Sequence, residues 1–514
     1  MPIPDIPERF NVASCFIDRH LAEGRGNRVA LRWNGQTVTY AQLAANVNRT
    51  GNALRRLGVR SEERVLLTVL DAPEFVYSFW GAIKIGAVPV PVNTSLRTDE
   101  YAYLLDDSRA SVLIASAEMW PVVEPVTTPW LRQRIIVGDK KGEALSFSDL
   151  LAGEAPVLEA EPTHRDDTAL WLYSSGSTGT PKGVVHLHRS LRYCAETYAR
   201  EVLDLSADDV TLAAPRLFFA YGLGGGMAFA LHAGATAVLL SERPTPGGMF
   251  AAIHQQRPTI FFGVPTLYAA MLQVKDATRK YDLSSLRLCA SAGEPLPAEL
   301  FKQWYEHFGV EILDGIGSTE ALHIFLSNRA GQVRPGSSGT PVPGYEIRVV
   351  DENEQAAAVE EIGDLLVKGG SITAGYWHKL EVTRRALLGE WLRTGDKYYQ
   401  DAEGVFWYCG RSDDMLKVSG QWVSPAEVEG LLFQHPAVLE AAVVGWEDEN
   451  GLVKPKAFVV LKEGQSPSPA LAEELQVFVK ARTLPHKYPR WIEFVADLPK
   501  TATGKIQRYK LRAS

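Results

Sequence analysis

Short apolar runs alternate with amphipathic segments in the first part of the chain. An apolar run at residues 64–70 precedes an amphipathic segment at 75–85 and a second apolar run at 87–92. The alternation recurs at 98–105 and 111–115. Apolar strands separated by amphipathic helices are typical of parallel sheets covered by helices. The pattern therefore predicts an α/β fold, with a large N-terminal domain of several subdomains built from mixed sheets and helices.

The pattern changes near Gly410, where a short, charged segment begins. We predict that residues 411–416 form a hinge, which ends the large domain at residues 1–410. The remaining residues, 417–514, have a compact pattern of their own. They are predicted to form a small, mobile α+β domain.

The first helix of this small domain has a clear start signal. Ser424 is a candidate N-cap, Pro425 takes the first helical position, and Glu427 is placed to fold back on the cap. A further helix and three strands are predicted at residues 470–480, and at 441–444, 457–461 and 491–495.

The charge balance is slightly acidic, with 53 lysines and arginines against 61 aspartates and glutamates, a formal net charge of -8. General nucleic-acid binding requires a positive surface, so a nucleic-acid partner is not expected. An anionic substrate must be captured by local positive features.

Cysteine usage and the absence of a long apolar segment suggest a compartment. The four cysteines are far apart and form no C-x-x-C pair, which predicts neither a zinc site nor a disulfide framework: Cys15, Cys194, Cys289 and Cys409. The first residues lack a signal-peptide pattern, and the apolar stretch at 227–240 is too short to cross a bilayer. We expect a soluble, cytoplasmic protein with no membrane partner. Its oligomeric state stays open, a homodimer being one option.

The strongest chemical signal is the segment at residues 173–186, which follows an apolar strand at 169–172. Its glycines allow close approach of the backbone to an anion, and its hydroxyls and lysine add donors and a positive charge: Gly176, Gly179, Ser174, Ser175, Ser177, Thr178 and Lys182. It is not a Walker A loop, because Pro181 precedes Lys182 and Gly183 follows it. The segment predicts phosphate binding, with a Ser/Gly-rich surface turn as the alternative.

This loop resembles the signature of the adenylate-forming superfamily, which contains acyl-CoA synthetases, peptide-synthetase adenylation domains and luciferases. Four further segments match superfamily motifs in the same order, at residues 314–320, 391–396, 410–420 and 499–508. The resemblance implies an enzyme that activates a carboxylic acid with ATP as an acyl-adenylate and transfers the acyl group to coenzyme A.

The resemblance also implies roles for single residues. A hydroxyl beside a carboxylate, as in Thr319 and Glu320, suits Mg²⁺, and Glu320 is the metal candidate. Thr319, Glu320, Lys182 and Lys505 are the catalytic candidates. Asp396 corresponds to the aspartate that accepts hydrogen bonds from the ribose hydroxyls, and we expect it just after a turn that presents its carboxylate outward.

The nucleotide-binding candidates are spread over the phosphate loop and four later segments: Ser174, Ser175, Gly176, Ser177, Thr178, Gly179, Gly293, Glu294, Asp314, Gly315, Ile316, Asp396 and Arg411. Many superfamily members place an aromatic residue where Ile316 stands. The adenine ring is therefore expected to meet an aliphatic side chain here.

The C-terminal motif places Lys505 near the reacting carboxylate and α-phosphate, where its charge would stabilise the transition state. Asp413 matches the hinge residue about which the superfamily rotates its small domain. Lys417, Ser419 and Gly420 are candidates for the coenzyme A channel. The alternative to a hinge about which the small domain rotates is a rigid charged linker. Acetylation of Lys505 by a lysine acetyltransferase would remove its charge.

Two aromatic and glycine-rich segments, 217–224 and 317–325, resemble the acid pocket of benzoate–CoA ligases. The substrate-binding candidates are Ala220, Tyr221, Gly222, Gly317, His323 and Ile324. The alternative is that the aromatic residues are ordinary core residues and His323 a hydrogen-bonded interior histidine.

The sequence thus predicts an aryl-CoA ligase that uses ATP, Mg²⁺ and coenzyme A, with a small aromatic carboxylic acid as substrate. Two other functions stay open: an enzyme that loads an aryl acid onto a carrier protein, and a non-catalytic sensor of acyl-adenylates.

Overall fold

The computed structural model describes residues 5–139, 141–175, 180–412, 414–418, 421–449, 452–500 and 506–512, without the side chains of residues 175, 417, 421 and 422. Several predicted site residues lie outside the described residues: Gly176, Ser177, Thr178, Gly179, Asp413, Ser419, Gly420 and Lys505.

The strands are, in chain order, β1 (Val29–Trp33), β2 (Gln36–Thr39), β3 (Arg64–Thr68), β4 (Val88–Pro91), β5 (Val112–Ser116), β6 (Gln133–Val137), β7 (Leu145–Ser146), β8 (Thr168–Ser175), β9 (Pro181–Leu187), β10 (Val210–Ala213), β11 (Thr236–Leu239), β12 (Ile260–Gly263), β13 (Leu288–Ser291), β14 (Ile312–Gly317), β15 (Ile324–Ser327), β16 (Thr340–Pro341), β17 (Glu346–Val350), β18 (Gly363–Lys368), β19 (Gly375–Tyr376), β20 (Leu387–Leu388), β21 (Trp391–Gln400), β22 (Phe406–Arg411), β23 (Leu416–Val418), β24 (Gln421–Val423), β25 (Val438–Glu447), β26 (Val453–Leu461) and β27 (Trp491–Phe494).

The α-helices are α1 (Arg19–Ala22), α2 (Tyr40–Arg56), α3 (Pro73–Lys84), α4 (Thr98–Ser108), α5 (Trp120–Val123), α6 (Phe147–Ala152), α7 (His188–Cys194), α8 (Ala220–Leu223), α9 (Phe229–Ala233), α10 (Pro246–Gln256), α11 (Pro265–Leu272), α12 (Ala277–Lys280), α13 (Ala298–Phe308), α14 (Leu380–Ala386), α15 (Pro425–Phe433), α16 (Pro469–Lys480) and α17 (Arg508–Arg512), and π-helical segments lie at Ser14–Asp18, Ala195–Arg200 and Gly224–Ala228.

Two parallel sheets form the frame of the large domain. One has the strand order β16-β15-β14-β13-β12-β10-β11-β1-β2, parallel from β14 to β1 and antiparallel at both ends. The other is parallel throughout, with the order β4-β3-β5-β6-β7. Helix α3 is buried along its whole length except Glu74, because it is enclosed in the core that the two sheets share. Strands such as β3 and β5 are apolar on both faces, as parallel strands covered by helices must be.

Smaller sheets complete the structure. The hairpin of β8 and β9 is joined by β19, and β21 pairs with β18, β20 and β22. In the C-terminal part, β25, β26 and β27 form a sheet whose core includes residues of α15 and α16. The α/β class, with a large N-terminal and a small C-terminal domain, is confirmed. The boundary at residue 410 and the hinge at residues 411–416 stay predictions.

The cap of α15 differs in one detail from the prediction. The Ser424 side chain accepts the backbone N–H of Glu427 at 3.1 Å, as expected of an N-cap. The Glu427 side chain does not fold back. It accepts instead from Lys487 Nζ at 2.6 Å, which forms an ion pair, and from Thr483 Oγ1 at 3.1 Å. Across the described ranges, no helix combines the length and apolarity that crossing a bilayer requires.

Candidate active site

The parallel strands of the large sheet bring several predicted residues to one edge. Strand β13 ends at Ser291, just before Gly293 and Glu294, and Asp314 of the neighbouring β14 is in register with Ser291. Open α/β sheets bind ligands at the carboxyl ends of their strands, because the loops leave the sheet there. Gly293, Glu294 and Asp314 therefore lie at one edge of this sheet. The motif at 314–317 lies within β14 itself, which continues to pair with β15.

Asp314 is a buried carboxyl group. Its Oδ2 accepts the backbone N–H of Leu296 at 3.4 Å, and its Oδ1 has no hydrogen-bond partner of good geometry among the described residues. Burial raises the pKa of Asp314 to about 8, although Ser291 and nearby backbone N–H groups lower it in part. The group is protonated at neutral pH, so it can donate a hydrogen bond as well as accept one.

The hairpin of β8 and β9 holds both ends of the phosphate loop. Ser174 pairs with Lys182 across it, and the residues between 175 and 180 connect the strands. Helix α4 contacts both strands at this end. Tyr173 donates to Asp107 Oδ2 at 2.7 Å, and Tyr103 donates to the carbonyl of Pro181 at 2.9 Å.

Glu320 lies beside this hairpin. Its Oε1 accepts from Tyr376 Oη at 2.9 Å and from Ser174 Oγ at 3.4 Å, and no described residue bonds its Oε2. The Lys182 ammonium lies 4.5 Å from the centre of the Tyr376 ring. The carbonyl of Thr319 accepts from His186 Nε2 at 2.7 Å. Burial lowers the pKa of His186 to about 4, so this histidine is neutral.

The donor set fits Mg²⁺. Within the described ranges no three His, Cys, Asp or Glu side chains cluster as a metal cage would require. Mg²⁺ is usually held by one or two carboxylates together with substrate phosphates. A single carboxylate beside a phosphate loop, with one oxygen not engaged by the described residues, is such an arrangement.

Asp396 and Arg411 face each other across β21 and β22. They are in register, and Arg411 Nη1 donates to Asp396 Oδ1 and to the carbonyl of Thr394, both at 3.1 Å. The prediction of a turn with an outward carboxylate is wrong: Asp396 lies within a strand and is buried. Gly395 has φ +77°, and a Cβ there would come within 2.9 Å of Arg411 Nη2. A glycine beside a strand irregularity resembles a turn in sequence, which explains the error.

The predicted acid pocket is a ring cage around His323. The His323 ring centre lies 5.6 Å from that of Tyr221, 5.2 Å from that of Tyr198 and 4.5 Å from that of Phe229. Among the described residues, no hydrogen bond of good geometry reaches either His323 nitrogen or the Tyr198 and Tyr221 hydroxyls. Burial lowers the pKa of His323 to about 3, so the ring is neutral. His323 is therefore a buried, neutral ring among aromatic residues, and its place in an acid pocket stays a prediction.

Backbone geometry sets the size of this cage. A Cβ on Gly224 would lie 2.4 Å from His323 Cδ2, and a Cβ on Gly222 would lie 2.0 Å from the carbonyl oxygen of Arg216. Gly222 belongs to α8 together with Ala220 and Tyr221. The pairing of Gly317 with Ile324 joins the cage to the strand that leads to Glu320. Ile316, half-buried, pairs with Leu326 in the same hairpin.

The C-terminal part reaches the site at one described point. The backbone N–H of Ile506 donates to Glu294 Oε1 at 3.2 Å, and Ile506 directly follows Lys505. Arg508 is fixed by three hydrogen bonds to Glu429, at 3.3, 2.9 and 2.8 Å. Ile506, the residue after Lys505 in the sequence, therefore lies against the predicted nucleotide residue Glu294.

Some residues of the site carried no signal in the sequence. Tyr376 and Tyr198 contact predicted residues, and Tyr103 and Asp107 contact the strands of the phosphate loop. Each lies far along the chain from its partner, so local pattern does not mark it.

Comparisons with known proteins agree with this geometry. The family description "AMP-binding enzyme" matches residues 18–377, and "AMP-binding enzyme C-terminal domain" matches residues 427–505. A benzoate–CoA ligase of Thauera aromatica is 51% identical, with 100% of this chain and 98% of the relative covered. A 4-hydroxybenzoate–CoA/benzoate–CoA ligase of Rhodopseudomonas palustris is 48% identical, with 100% and 95% covered.

Solved structures give the same result. A benzoate CoA ligase from Burkholderia xenovorans has a TM-score of 0.91 and 49% identity, with 98% of this chain and 100% of that chain covered. An anthranilate CoA ligase in complex with anthranoyl-AMP has a TM-score of 0.95 and 46% identity, with 100% and 98% covered. The chain therefore belongs to the AMP-binding enzymes of the adenylate-forming superfamily and, within it, to the benzoate–CoA ligase family of AMP-forming acid–thiol ligases.

Proposed function

We propose that this chain converts benzoate or a substituted benzoate into its coenzyme A thioester. The carboxylate attacks the α-phosphorus of ATP, which gives aroyl-AMP and releases pyrophosphate. The thiol of coenzyme A then attacks the acyl carbon, and AMP leaves. The observation that carries the choice of acid is the ring cage of Tyr198, Tyr221 and His323, joined through β15 to the strand of Asp314.

The nucleotide takes the edge where β13 and β14 end. The phosphate loop and Lys182 hold the β- and γ-phosphates, and Asp396 accepts hydrogen bonds from the ribose hydroxyls with Arg411 beside it. The protonated Asp314 and the Gly293–Glu294 segment contact the adenine, and Ile316 provides an aliphatic face for the ring. No side chain acts as a covalent nucleophile.

Glu320 would hold Mg²⁺, with Thr319 beside it. When bound, the ion neutralises phosphate charge and orients the departing pyrophosphate. The chain contributes the carboxylate, whose Oε1 is already fixed by Tyr376 and Ser174.

Lys505 acts on the first step. Its ammonium offsets the negative charge that develops as the carboxylate approaches the α-phosphate, an effect of roughly 3 to 4 kcal/mol for one well-placed donor. The contact of Ile506 with Glu294 supports this role, because it brings the neighbouring residue to the nucleotide edge.

The acid side of the cage accommodates a flat ring and small substituents. The relatives differ in the acids that their names give, benzoate in Burkholderia xenovorans and anthranilate in the complex with anthranoyl-AMP. Benzoate itself would be held by ring packing. An amino or hydroxyl substituent would also find polar partners in Tyr198, Tyr221 and His323, whose polar atoms have no hydrogen bond of good geometry among the described residues.

Coenzyme A, rather than a carrier protein, is the acyl acceptor that the named relatives favour. After the first step the small domain, residues 417–514, turns about Asp413 and brings Lys417, Ser419 and Gly420 to the site, where they line the channel for the thiol arm. The large domain comprises residues 1–410. ATP and coenzyme A are available in the cytoplasm, where we place the reaction.

Acetylation of Lys505 is a proposed means of control. It would remove the charge on which the first step depends while leaving the rest of the site intact. The check is mass spectrometry of the protein from cells, with the acetylated fraction compared with the activity. Acetylated Lys505 in fully active enzyme would exclude this control.

The test of the function is product analysis with ATP and Mg²⁺, with and without coenzyme A, over benzoates, short aliphatic acids and fatty acids. We expect AMP and aroyl-CoA chiefly with benzoates. Lys505→Ala is the matched variant, and we expect it to bind ATP normally while losing about two to three orders of magnitude in aroyl-AMP formation.

Other outcomes would each exclude one part of the proposal. Aroyl-AMP without thioester would mean that another thiol is the acceptor. Reaction with fatty acids alone would mean that the cage does not select the acid. Binding of ATP without turnover of any acid would indicate a sensor.

A further inference from the structure

We propose that Tyr376 is a positioning residue for the reaction with ATP. Its hydroxyl orients the Glu320 carboxylate, and its ring holds the Lys182 ammonium in place. The two charged groups come from separate elements, Lys182 from β9 and Glu320 from the loop after β14. Tyr376, on the short strand β19, contacts both. The inference rests on the proposed function in one respect, that the phosphates of ATP lie between Lys182 and Glu320.

The hydroxyl contact fixes one oxygen of Glu320. Tyr376 Oη donates to Oε1 at 2.9 Å, and Ser174 Oγ donates to the same oxygen at 3.4 Å. Both of these hydrogen bonds are made to Oε1. The carboxylate is therefore held by Oε1, and Oε2 is not bonded by any described residue.

The ring contact fixes Lys182. Its ammonium lies 4.5 Å from the ring centre of Tyr376, within the range of a cation–π interaction. No carboxylate of the described residues forms an ion pair with Lys182, although Glu320 contacts the same tyrosine. One residue therefore contacts both charged groups, Lys182 through its ring and Glu320 through its hydroxyl.

The backbone keeps the ring in this place. Gly375 and Tyr376 pair with Val185 and Val184 of β9, the strand that carries Lys182. The backbone N–H of Thr373 donates to the carbonyl of Glu320 at 2.7 Å. The segment of Tyr376 is thus bonded both to the phosphate-loop hairpin and to the residue that carries the metal carboxylate.

Gly375 makes this turn of the chain possible. Its φ is +138°, a conformation that L side chains rarely adopt, and a Cβ there would lie 2.9 Å from Thr383 Cγ2. Thr383 Oγ1 accepts the backbone N–H of Tyr376 at 3.0 Å. The close approach of Thr383 completes the fixed position of the tyrosine.

Two substitutions separate the two contacts. Tyr376→Phe removes the hydroxyl and keeps the ring, so it tests the contact with Glu320 alone. Tyr376→Leu removes both. Tyr101→Phe is the matched control, because Tyr101 is also buried and its hydroxyl bonds Thr68 Oγ1 at 2.9 Å and the carbonyl of Asn93 at 2.8 Å, contacts that do not involve Lys182 or Glu320.

Two binding measurements on the full-length protein give the readout. ATP affinity in the presence of EDTA, by calorimetry, reports on Lys182 without any metal. Mn²⁺ binding in the presence of ATP, by electron paramagnetic resonance, reports on Glu320. We expect Tyr376→Phe to bind metal-free ATP as the wild type does and Mn²⁺ about 3- to 10-fold more weakly. Tyr376→Leu should also weaken metal-free ATP about 3- to 30-fold.

The control should change neither affinity, even if its melting temperature falls. Mn²⁺ affinity of Tyr376→Phe equal to that of the wild type would overturn the assignment of the hydroxyl. Metal-free ATP affinity of Tyr376→Leu equal to that of the wild type would overturn the assignment of the ring. Failure of the proposed function is seen separately, as a wild type that binds ATP but makes no aroyl-CoA.

Discussion

Asp314 gives the site a dependence on pH that can be measured without substrate. Its pKa in the folded protein is raised by burial to about 8, above the value of about 4 for an exposed aspartate. The folded state therefore binds more protons than the unfolded state between these values. The contribution to stability is complete below pH 4 and is lost as the pH rises through 8.

We predict that Asp314→Asn flattens this part of the stability profile. The free energy of unfolding of the wild type, relative to that of the variant, should fall by an amount on the order of several kcal/mol between pH 4 and pH 8. Urea unfolding at a series of pH values measures it. Parallel curves for the two proteins would mean that Asp314 is ionised throughout.

His323 belongs to the proposed acid pocket, where its neutral ring packs against three aromatic residues. We predict that His323→Ala lowers kcat/KM for benzoate about 10- to 200-fold, since packing around the ring is lost. The kcat/KM for benzoates with larger ring substituents should fall less. The KM for ATP is the internal control. An equal loss for every benzoate would mean that the ring supports the fold without selecting the acid.

Helix α4 contacts the two strands that hold the predicted phosphate loop. Tyr103 donates to the carbonyl of Pro181, the residue before Lys182, at 2.9 Å. We predict that Tyr103→Phe raises the KM for ATP about threefold to tenfold and leaves the KM for benzoate unchanged, because the strand that carries Lys182 loses one anchor. Steady-state kinetics with each substrate varied in turn measures this.

Tyr101→Phe, on the same helix, is the control for this prediction because its hydroxyl bonds Thr68 and Asn93 instead. Equal changes in the KM for ATP in both variants would show that α4 acts through general stability and not through the loop.

The elements themselves were largely predictable. Apolar runs gave β3, β4 and β5, and amphipathic or apolar segments between them gave α3 and α4, because the periodicity of a covered parallel sheet is a local property. The Ser424 N-cap of α15 was predictable because a cap is also local in sequence, whereas the partners of Glu427, Thr483 and Lys487, lie far along the chain.

The contacts between distant elements were not predictable from such patterns. Strand β19 has two residues, and its pairing with β9 decides where Tyr376 lies. The prediction that Asp396 follows a turn is wrong because Gly395 resembles a turn residue in sequence. The pairing of β21 with β22 places Asp396 within a strand. Both depend on partners that local sequence does not name.

The whole molecule has to serve two steps with one site. Ile506, which follows Lys505 in the sequence, bonds Glu294, an arrangement that suits adenylation. Asp414, next to the predicted hinge residue, forms ion pairs with Arg508 and Arg512 of α17. Asp414 is therefore bonded to α17, and we expect the two to move together.

Restricting the hinge should accordingly separate the two half-reactions. Proline fixes φ, so Asp413→Pro removes the freedom that rotation requires. We predict that pyrophosphate exchange with benzoate stays within about threefold of the wild type, while thioester formation from isolated benzoyl-AMP falls at least about 100-fold. Asp413→Ala, which keeps backbone freedom, is the control and should retain both steps. Equal loss of both steps in the proline variant would mean that the substitution disturbs the arrangement needed for adenylation. Full retention of both steps would mean that the small domain rotates about another residue.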